Sequence, residues 1–469
     1  MESNSKELLK KTAIITIGNI STKLINFLLL PFYTYILTPE QYGTYDLLHT
    51  YVFLLVPILS LQLNYAAFKY LVEARNDGAD YRQTVSTTTL FMLFQVVVYA
   101  LIFAVVILVF DYVYLKYLAL WIIAIVILYD TQQMVRGINK TGLYAIAGVI
   151  SSALMIVLNI VFLTVCDMRV AGLLLAGGIS SLVAALFLWL FSGLHKFIDP
   201  KTFSAKSLKK MLKFSLPLVP EELAWWVIHA SDRSIVTFIL GEAQNGIIAV
   251  SQKFSSVYIT LYNIFNLSWN ETVILNFKSE KGREYIAKTI NSVSALFTSL
   301  GIGIVAVMPF IFPIFVNSNY GEAYNLVPIY MFAAVADVYL GMYGAVLIAK
   351  ERTKFVALCT LLAGVINLVV HFALIKFIGI YAAPISSAMA YFIIFIIRYV
   401  AVKKDIGRSL DFVKHAVLAA TFIITAVCYY VGNLYLCAAV LLIDFVICFY
   451  LNKGSLASFK NMIFSKFKG

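Results

Sequence analysis

Apolar runs of bilayer length recur along this chain with little polar sequence between them. A spanning helix needs about 20 mostly apolar residues, because the hydrocarbon core is about 30 Å thick and a helix rises about 1.5 Å per residue. Such runs cover Thr12–Leu37, Tyr42–Ala66, Ser86–Phe110, Tyr117–Val135, Leu143–Val165, Val170–Leu194 and Phe214–Leu240. They continue with Ile247–Leu275, Ile290–Val316, Ala323–Ala349, Phe355–Ile375, Gly379–Ile397, Ala416–Val431 and Leu434–Leu451, which makes fourteen. The first run follows a polar start and has no small-residue cleavage site, so it reads as a spanning helix and not a signal peptide. Hydrophobic residues are 61% of the 469 and charged ones 13%, against about 25% charged in soluble domains. The expectation is an all-α polytopic membrane protein.

Charge tests the orientation. The chain carries 36 Lys and Arg against 24 Asp and Glu, a net +12. With the N-terminus placed in the cytoplasm, thirty basic residues fall inside and only Lys116, Arg169 and Lys376 outside; Lys23, Arg233 and Lys253 lie within spans. That asymmetry is the positive-inside signature. It puts both termini in the cytoplasm and gives the basic excess a partner in anionic lipid headgroups, not nucleic acid. The longest hydrophilic stretch, His195–Lys213, is basic and cytoplasmic, and outer loops such as Thr38–Gln41 and Gly241–Asn245 leave no room for a catalytic domain. Cys166, Cys359, Cys428, Cys437 and Cys448 lie in or beside apolar runs without metal spacing and read as small hydrophobes. No metal or cofactor is expected.

The chain repeats itself. At an offset of 203, Leu9-Lys10 meets Leu212-Lys213, Thr34 meets Thr237, Leu37 meets Leu240, Gln41 meets Gln244 and Gly43 meets Gly246. Asn159 meets Asn367, and Ile179-Ser180-Ser181 meets Ile385-Ser386-Ser387, at slightly larger offsets. Each repeat would hold six spans, so the halves share one orientation about a pseudo-twofold along the membrane normal. The expected division is an N-lobe over 1–200, a C-lobe over 201–405, and an extra helix pair with a basic tail over 406–469. Transporters built from such repeats bind substrate between the halves and alternate its exposure.

Polar groups inside spans are expensive and mark candidate sites. The first span carries Thr12, Thr16, Asn19, Lys23 and Asn26 on one helical face. The seventh carries Glu222, Trp226, His229 and Arg233, with Asp232 about 100° away. Arg233 is either a cavity cation or the structural partner of an acid such as Asp337, and Trp225 and Trp226 read as packing residues. The eighth span carries Lys253, Ser256, Thr260, Asn263 and Asn270 along one stripe. Lys23, Arg233, Lys253, Asn19, Asn26 and Asn263 are the expected substrate-binding residues, because a cavity lined by cations suits an anionic group such as phosphate. Glu222, His229, Asp232 and Asp337 are the candidates for coupling to a proton or sodium ion. His49, His371, Glu271 and Asp444 read as locally satisfied, and Gly177-Gly178 as a close helix contact. Nucleophile elbows and phosphate-binding glycine loops are missing.

Residues 9–48, LKKTAIITIGNISTKLINFLLLPFYTYILTPEQYGTYDLL, resemble the opening of polysaccharide exporters of the multidrug/oligosaccharidyl-lipid/polysaccharide (MOP) superfamily, above all in Pro31 and the run Leu37-Thr38-Pro39-Glu40-Gln41-Tyr42-Gly43. Residues 212–241, LKFSLPLVPEELAWWVIHASDRSIVTFILG, look like the seventh helix of that family, including Asp232-Arg233. The similarity extends over about residues 5–405. It implies a Wzx-type flippase with two six-helix lobes around a cationic cavity, in which Lys23 and Lys253 match basic positions of the first and eighth helices. The substrate would be an undecaprenyl-pyrophosphate-linked oligosaccharide of O-antigen (lipopolysaccharide), capsule or exopolysaccharide, moved across a bacterial plasma (inner) membrane. A polymerase or ligase would receive it. Two departures stand out. Ile248 replaces a common Tyr, and fourteen spans resemble lipid II flippases, whose extra helix pair forms a groove for the lipid tail.

The expected function is therefore flipping by alternating access, without enzymatic activity. An organic-cation exporter on the same fold would carry a dominant carboxylate in an otherwise uncharged cavity. A polyprenyl-sugar transferase or polymerase would need larger outer loops.

Overall fold

The computed structural model describes residues 27–466, except the side chains of 224, 225, 227–229 and 455–466. Every regular element among them is helical. The helices are α1 (Leu30–Ile36), α2 (Pro39–Ser60), α3 (Leu63–Asn76), α4 (Arg82–Val109), α5 (Leu115–Gly137), α6 (Thr141–Thr164), α7 (Arg169–Ser192), α8 (Ala205–Ser215), α9 (Leu218–Leu240) and α10 (Glu242–Asn276). After them come α11 (Glu280–Phe315), α12 (Glu322–Ala349), α13 (Thr353–Ile378), α14 (Ala382–Ile406), α15 (Phe412–Val431) and α16 (Leu434–Lys466). Local signals set their ends. Ser204, Ser279 and Asp411 cap α8, α11 and α15 by accepting from Ser207, Gly282 and Lys414 backbone N–H groups. Gly193 and Gly432, both at φ 72°, stop α7 and α15 in the left-handed region that only glycine enters without strain.

Nine helical segments among the described residues are long and apolar enough to cross a bilayer, and a bent pair makes ten. One of the nine, Thr353–Ile406, itself contains α13 and α14, separated by a single 3-10 turn at Gly379–Tyr381. Helices α9 and α10 fall outside that apolar class. The first carries Glu221, Glu222, Asp232 and Arg233, and the second Glu242, Lys253 and Glu271.

Contacts divide the molecule into two units, one of Glu40–Ser234 and one of Phe27–Pro39 with residues 235–466. The lobe boundary expected at 200/201 is therefore displaced, and a short segment of the first repeat joins the second unit. The reason is packing. Met211 of α8 is buried in the first unit's core with Leu63, Leu71, Met134 and Leu188, and α9 bonds to α2 as described below. In the second unit, the α1 hydroxyl of Thr34 donates to the Phe315 carbonyl, and Tyr320 donates to the Leu37 carbonyl. The expected third segment, 406–469, has no core of its own, since α15 and α16 pack along α11 within the second unit.

The two units repeat one packing scheme. In the first, α7 packs on α5 and α6 and α3 on α5; in the second, α14 packs on α12 and α13 and α10 on α12. Gly177 allows the α5–α7 contact, because a Cβ there would lie 2.4 Å from the Trp121 ring. Asn159 and Asn367 are both buried, and Asn367 donates to Ser387 at 3.0 Å.

The second span differs from expectation. The run Tyr42–Ala66 is not one straight helix, because α2 ends at Ser60 and α3 starts at Leu63 with a 54° bend. Leu61 and Gln62 sit at φ 51° and 54°, where a residue with a Cβ loses about 1–2 kcal/mol. Pro57 lies inside α2, four residues before the break. It lacks the N–H that a continuous helix would give to the Phe53 carbonyl. The next carbonyl exposed by the break, that of Leu59, accepts from Gln95 Nε2 at 2.9 Å and from the Tyr99 hydroxyl at 2.5 Å, both on α4.

Candidate substrate cavity at the broken span

Backbone that leaves the helix within a membrane must be buried in protein or line a cavity, because hydrocarbon offers it no hydrogen bonds. The break between α2 and α3 does both. It borders a cavity of about 490 Å³ inside the first unit, within the size range of small-molecule sites. Pro57, Ser60, Gln62, Asn64 and Tyr65 come from the broken span, Tyr129, Gln132 and Gln133 from α5, and Tyr144 from α6. Helix α9 adds Glu222, Trp226 and Ala230, and Phe53 and Val56 complete the wall. Among the described residues, Glu222 is the one carboxylate or basic group in this lining. The rest of the wall is amide, hydroxyl and aromatic ring, with Val56, Pro57 and Ala230 as its aliphatic members.

Helix α9 is fixed against α2 by three polar contacts. Trp226 Nε1 donates to the Thr50 carbonyl at 3.0 Å, with its ring on Tyr51. Arg233 Nε meets Asp46 Oδ2 at 2.7 Å, and Ser234 donates to the Tyr51 hydroxyl at 3.2 Å. The spacing of Trp226 and Arg233, two turns apart, makes these one face. Glu222, one turn before Trp226, is carried by that face into the cavity.

The expected site residues separate accordingly. Glu222 and Trp226 are brought together in the cavity wall, so Trp226 both packs and lines. Of the two readings of Arg233, a cavity cation or the structural partner of an acid such as Asp337, it pairs with an acid, Asp46, and is not part of the lining. Asp232 is buried, at 5% exposure, in the same unit. Lys253, Asn263 and Asp337 belong to the second unit. There Lys253 is half-buried, Asn263 is exposed on its own helix, and Asp337 lies within electrostatic reach of Arg398. Lys23, Asn19 and Asn26 lie outside the described residues, as does the side chain of His229. His49 sits among Tyr45, Phe53 and Trp121, and Asp444 accepts from Thr425 at 2.7 Å, both as local contacts. The cavity residues not anticipated are Gln62, Asn64, Gln132, Gln133 and the tyrosines. A proline inside an apolar run, followed by Gln and Asn, is the sequence signal that could have found them.

The second unit holds a different concavity. A groove of about 420 Å³ runs between α11 and α16, lined by Leu300, Ile304, Val307, Met308, Ile311, Leu441 and Phe445, with Ser299, Gly303, Asp444 and Cys448 completing it. It is almost wholly apolar.

Residues 8–269 match the family described as "Polysaccharide biosynthesis protein". Among curated proteins none matches significantly. The chain is similar to the lipid II flippase MurJ in an inward closed conformation, at 14% identity and a TM-score of 0.69, over 96% of this chain and 100% of that one. It is also similar to an inward-facing multidrug resistance MATE family transporter of the MOP superfamily, at 14% identity and 0.68, over 83% of this chain and 95% of that one. A MOP superfamily transporter from Pyrococcus furiosus, described by the reversed polarity of its binding pocket, matches at 14% and 0.57, over 86% and 95%. These likenesses establish the fold: an all-helical, multi-pass membrane protein built like MOP superfamily transporters.

Proposed function

This chain belongs to the polysaccharide biosynthesis protein family, and we propose that it is a flippase for an undecaprenyl-pyrophosphate-linked oligosaccharide, working by alternating access in a bacterial plasma membrane with both termini cytoplasmic. The observation that carries this reading is the cavity at the broken span. Gln62, Asn64, Gln132 and Gln133 offer amide donors and acceptors to sugar hydroxyls. Tyr65, Tyr129, Tyr144 and Trp226 offer ring faces to the apolar C–H faces of sugar rings. The glycan is thus assigned to a wall of amides and rings in which Glu222 is the one charged group among the described residues, and its pyrophosphate to the embedded cations, of which Lys23 and Lys253 are the candidates. The apolar groove between α11 and α16 suits a polyprenyl chain, because burying each methylene contributes about 0.8 kcal/mol.

An organic-cation exporter is the second reading, favoured by Glu222 as the charged group of the cavity wall and by the Asp46 carboxylate on Arg233. One experiment separates the two. The gene is deleted in its host, lipid-linked oligosaccharide is counted in each leaflet, and the deletion is complemented with wild type or with Gln132→Leu, Gln133→Leu. A flippase predicts accumulation on the cytoplasmic leaflet, loss of surface glycan, rescue by wild type and failure of rescue by the double variant at equal protein level. Normal glycan with heightened sensitivity to organic cations would establish the exporter instead.

A further inference from the structure

Directly behind the cavity wall, between Tyr129 and Gln132-Gln133, α5 buries Asp130 completely, at 0% exposure. Neither carboxylate oxygen has a hydrogen-bond partner among the described residues. Those surroundings supply oxygens and no cation. Gln95, 2% exposed, spends its amide N–H on the Leu59 carbonyl, and its own Oε1 is left unpartnered. Tyr99 lies close enough to Asp130 for the two to interact electrostatically, and its hydroxyl is also spent on Leu59. Gln133 Oε1, one turn along α5 from Asp130, and Asn64 Oδ1, at the start of α3, are buried without partners as well.

An ionised carboxylate buried with no hydrogen-bond donor on either oxygen is strongly disfavoured unless a positive charge joins it. Among the described residues, no basic side chain is placed to do so. Around α5, Tyr65 of α3, Tyr99 of α4, Tyr144 of α6 and Glu222 of α9 are titratable. Of the basic groups on these elements, Lys69 is engaged by Glu73, Arg136 of α5 itself lies over the Phe68 ring, and neither these nor Arg75 and Arg82 offset the burial of Asp130. On α2, Asp46 is engaged by Arg233 and His49 by aromatic rings. The missing charge must therefore be small, and oxygen atoms are the ligands hard cations take.

We propose that Asp130 is a cation-exchange site, at which a proton or a sodium ion neutralises the carboxyl among the amide oxygens behind the broken span. Exchange would run through the neighbouring cavity, whose wall includes Tyr129, Gln132 and Gln133 of the same helix, and not through lipid. The site is independent of what the protein carries.

The test uses the purified full-length chain in lipid nanodiscs, with no glycan present, so its failure and failure of the flippase reading are separate results. The carboxyl reagent dicyclohexylcarbodiimide is applied in sodium or choline chloride across a pH series. Adducts on Asp130 and Glu222 are quantified by peptide mass spectrometry, and thermal unfolding is recorded in the same buffers. A sodium site predicts slower labelling of Asp130 and a higher Tm in sodium than in choline. A proton site predicts no sodium effect and labelling that falls about tenfold per pH unit above the pKa of the carboxyl. Asp130→Asn removes the adduct and the cation dependence of Tm in either case. Should that variant not fold, the wild-type measurement still decides. Wild-type labelling and Tm that respond to neither sodium nor pH, or an Asp130→Asn variant that keeps the full dependence of Tm, would overturn the proposal.

Discussion

The second span of each repeat starts from matched sequence and ends as a different object. At the offset of 203 residues, Pro39–Glu73 aligns with α10, Glu242–Asn276; the first copy bends by 54° and the second runs unbroken over 35 residues. Pro57 aligns with Thr260, which keeps its backbone N–H and also donates its hydroxyl to the Ser256 carbonyl at 2.7 Å. Leu55, Leu59, Gln62 and Ala66 align with Tyr258, Tyr262, Phe265 and Trp269. In the second unit those four aromatic rings fill the interior, with Tyr258 donating to the Phe297 carbonyl and Trp269 to the Met342 carbonyl. In the first unit the same places hold smaller or polar side chains: Leu55, Leu59 and Ala66 pack in the hydrophobic core, and Gln62 lines the cavity. Two changes thus meet at the cavity, a proline in the span and an amide, Gln62, where the second unit has the ring of Phe265.

Three measurements can break or sharpen that contrast. The largest effect is expected from exchanging the two residues. Thr260→Pro should cost the second unit about 3 kcal/mol or more, because an interior proline removes a hydrogen bond and clashes with the preceding turn. Pro57→Thr should cost far less, since α2 already lacks the continuing ladder. Thermal unfolding of the two purified variants gives the comparison, and equal losses would mean that proline is not what separates the spans.

Second, Asp46→Ala strips Arg233 of its carboxylate and should destabilise by about 2 kcal/mol, less than a fully buried pair because both side chains keep some exposure. The neutral pair Asp46→Asn, Arg233→Gln should recover most of it. The aligned residue in the unbroken span is Ala249, so α10 has no carboxylate at that position. A double variant as unstable as the single one would show that side-chain volume, not charge, joins α9 to α2.

The smallest effect concerns the backbone at the break. Leu61→Gly and Ile264→Gly delete half-buried aliphatic side chains at aligned positions. The first relieves a left-handed conformation and the second weakens a helix, so the two losses should differ by about 1.5 kcal/mol in favour of Leu61→Gly. Equal Tm shifts would mean that the positive φ values carry no strain.

Much of this fold was legible in the sequence because bilayers impose lengths and periods that survive without tertiary knowledge. The apolar runs, the repeat, and Gly177 as a helix contact all follow from that constraint. The face shared by Glu222, Trp226 and Arg233 was legible for the same reason. What the face would meet was not. Arg233 finds Asp46 across 187 residues of sequence, and only packing decides between that carboxylate and Asp337. Asn263 lies on the expected stripe of α10 and is exposed; periodicity says which residues share a face and not what that face meets. The bend escaped because hydropathy averages over windows, and Leu61 and Gln62 signal nothing in an average; Pro57 alone hinted at it. Asp130 was absorbed into the apolar run Tyr117–Val135, where one acid does not break a span.

The Leu59 carbonyl has a consequence for how the protein is made. Its two donors, Gln95 and Tyr99, lie 36 and 40 residues further along the chain, on a helix that leaves the ribosome after the broken span. Until α4 arrives, the freed carbonyl has neither helix nor side chain to bond with, and lipid cannot substitute. The first unit therefore cannot mature one span at a time. Its second span has to wait, sheltered by the insertion machinery or still straight, for the helix that completes it, and the bend itself is a late event in biogenesis.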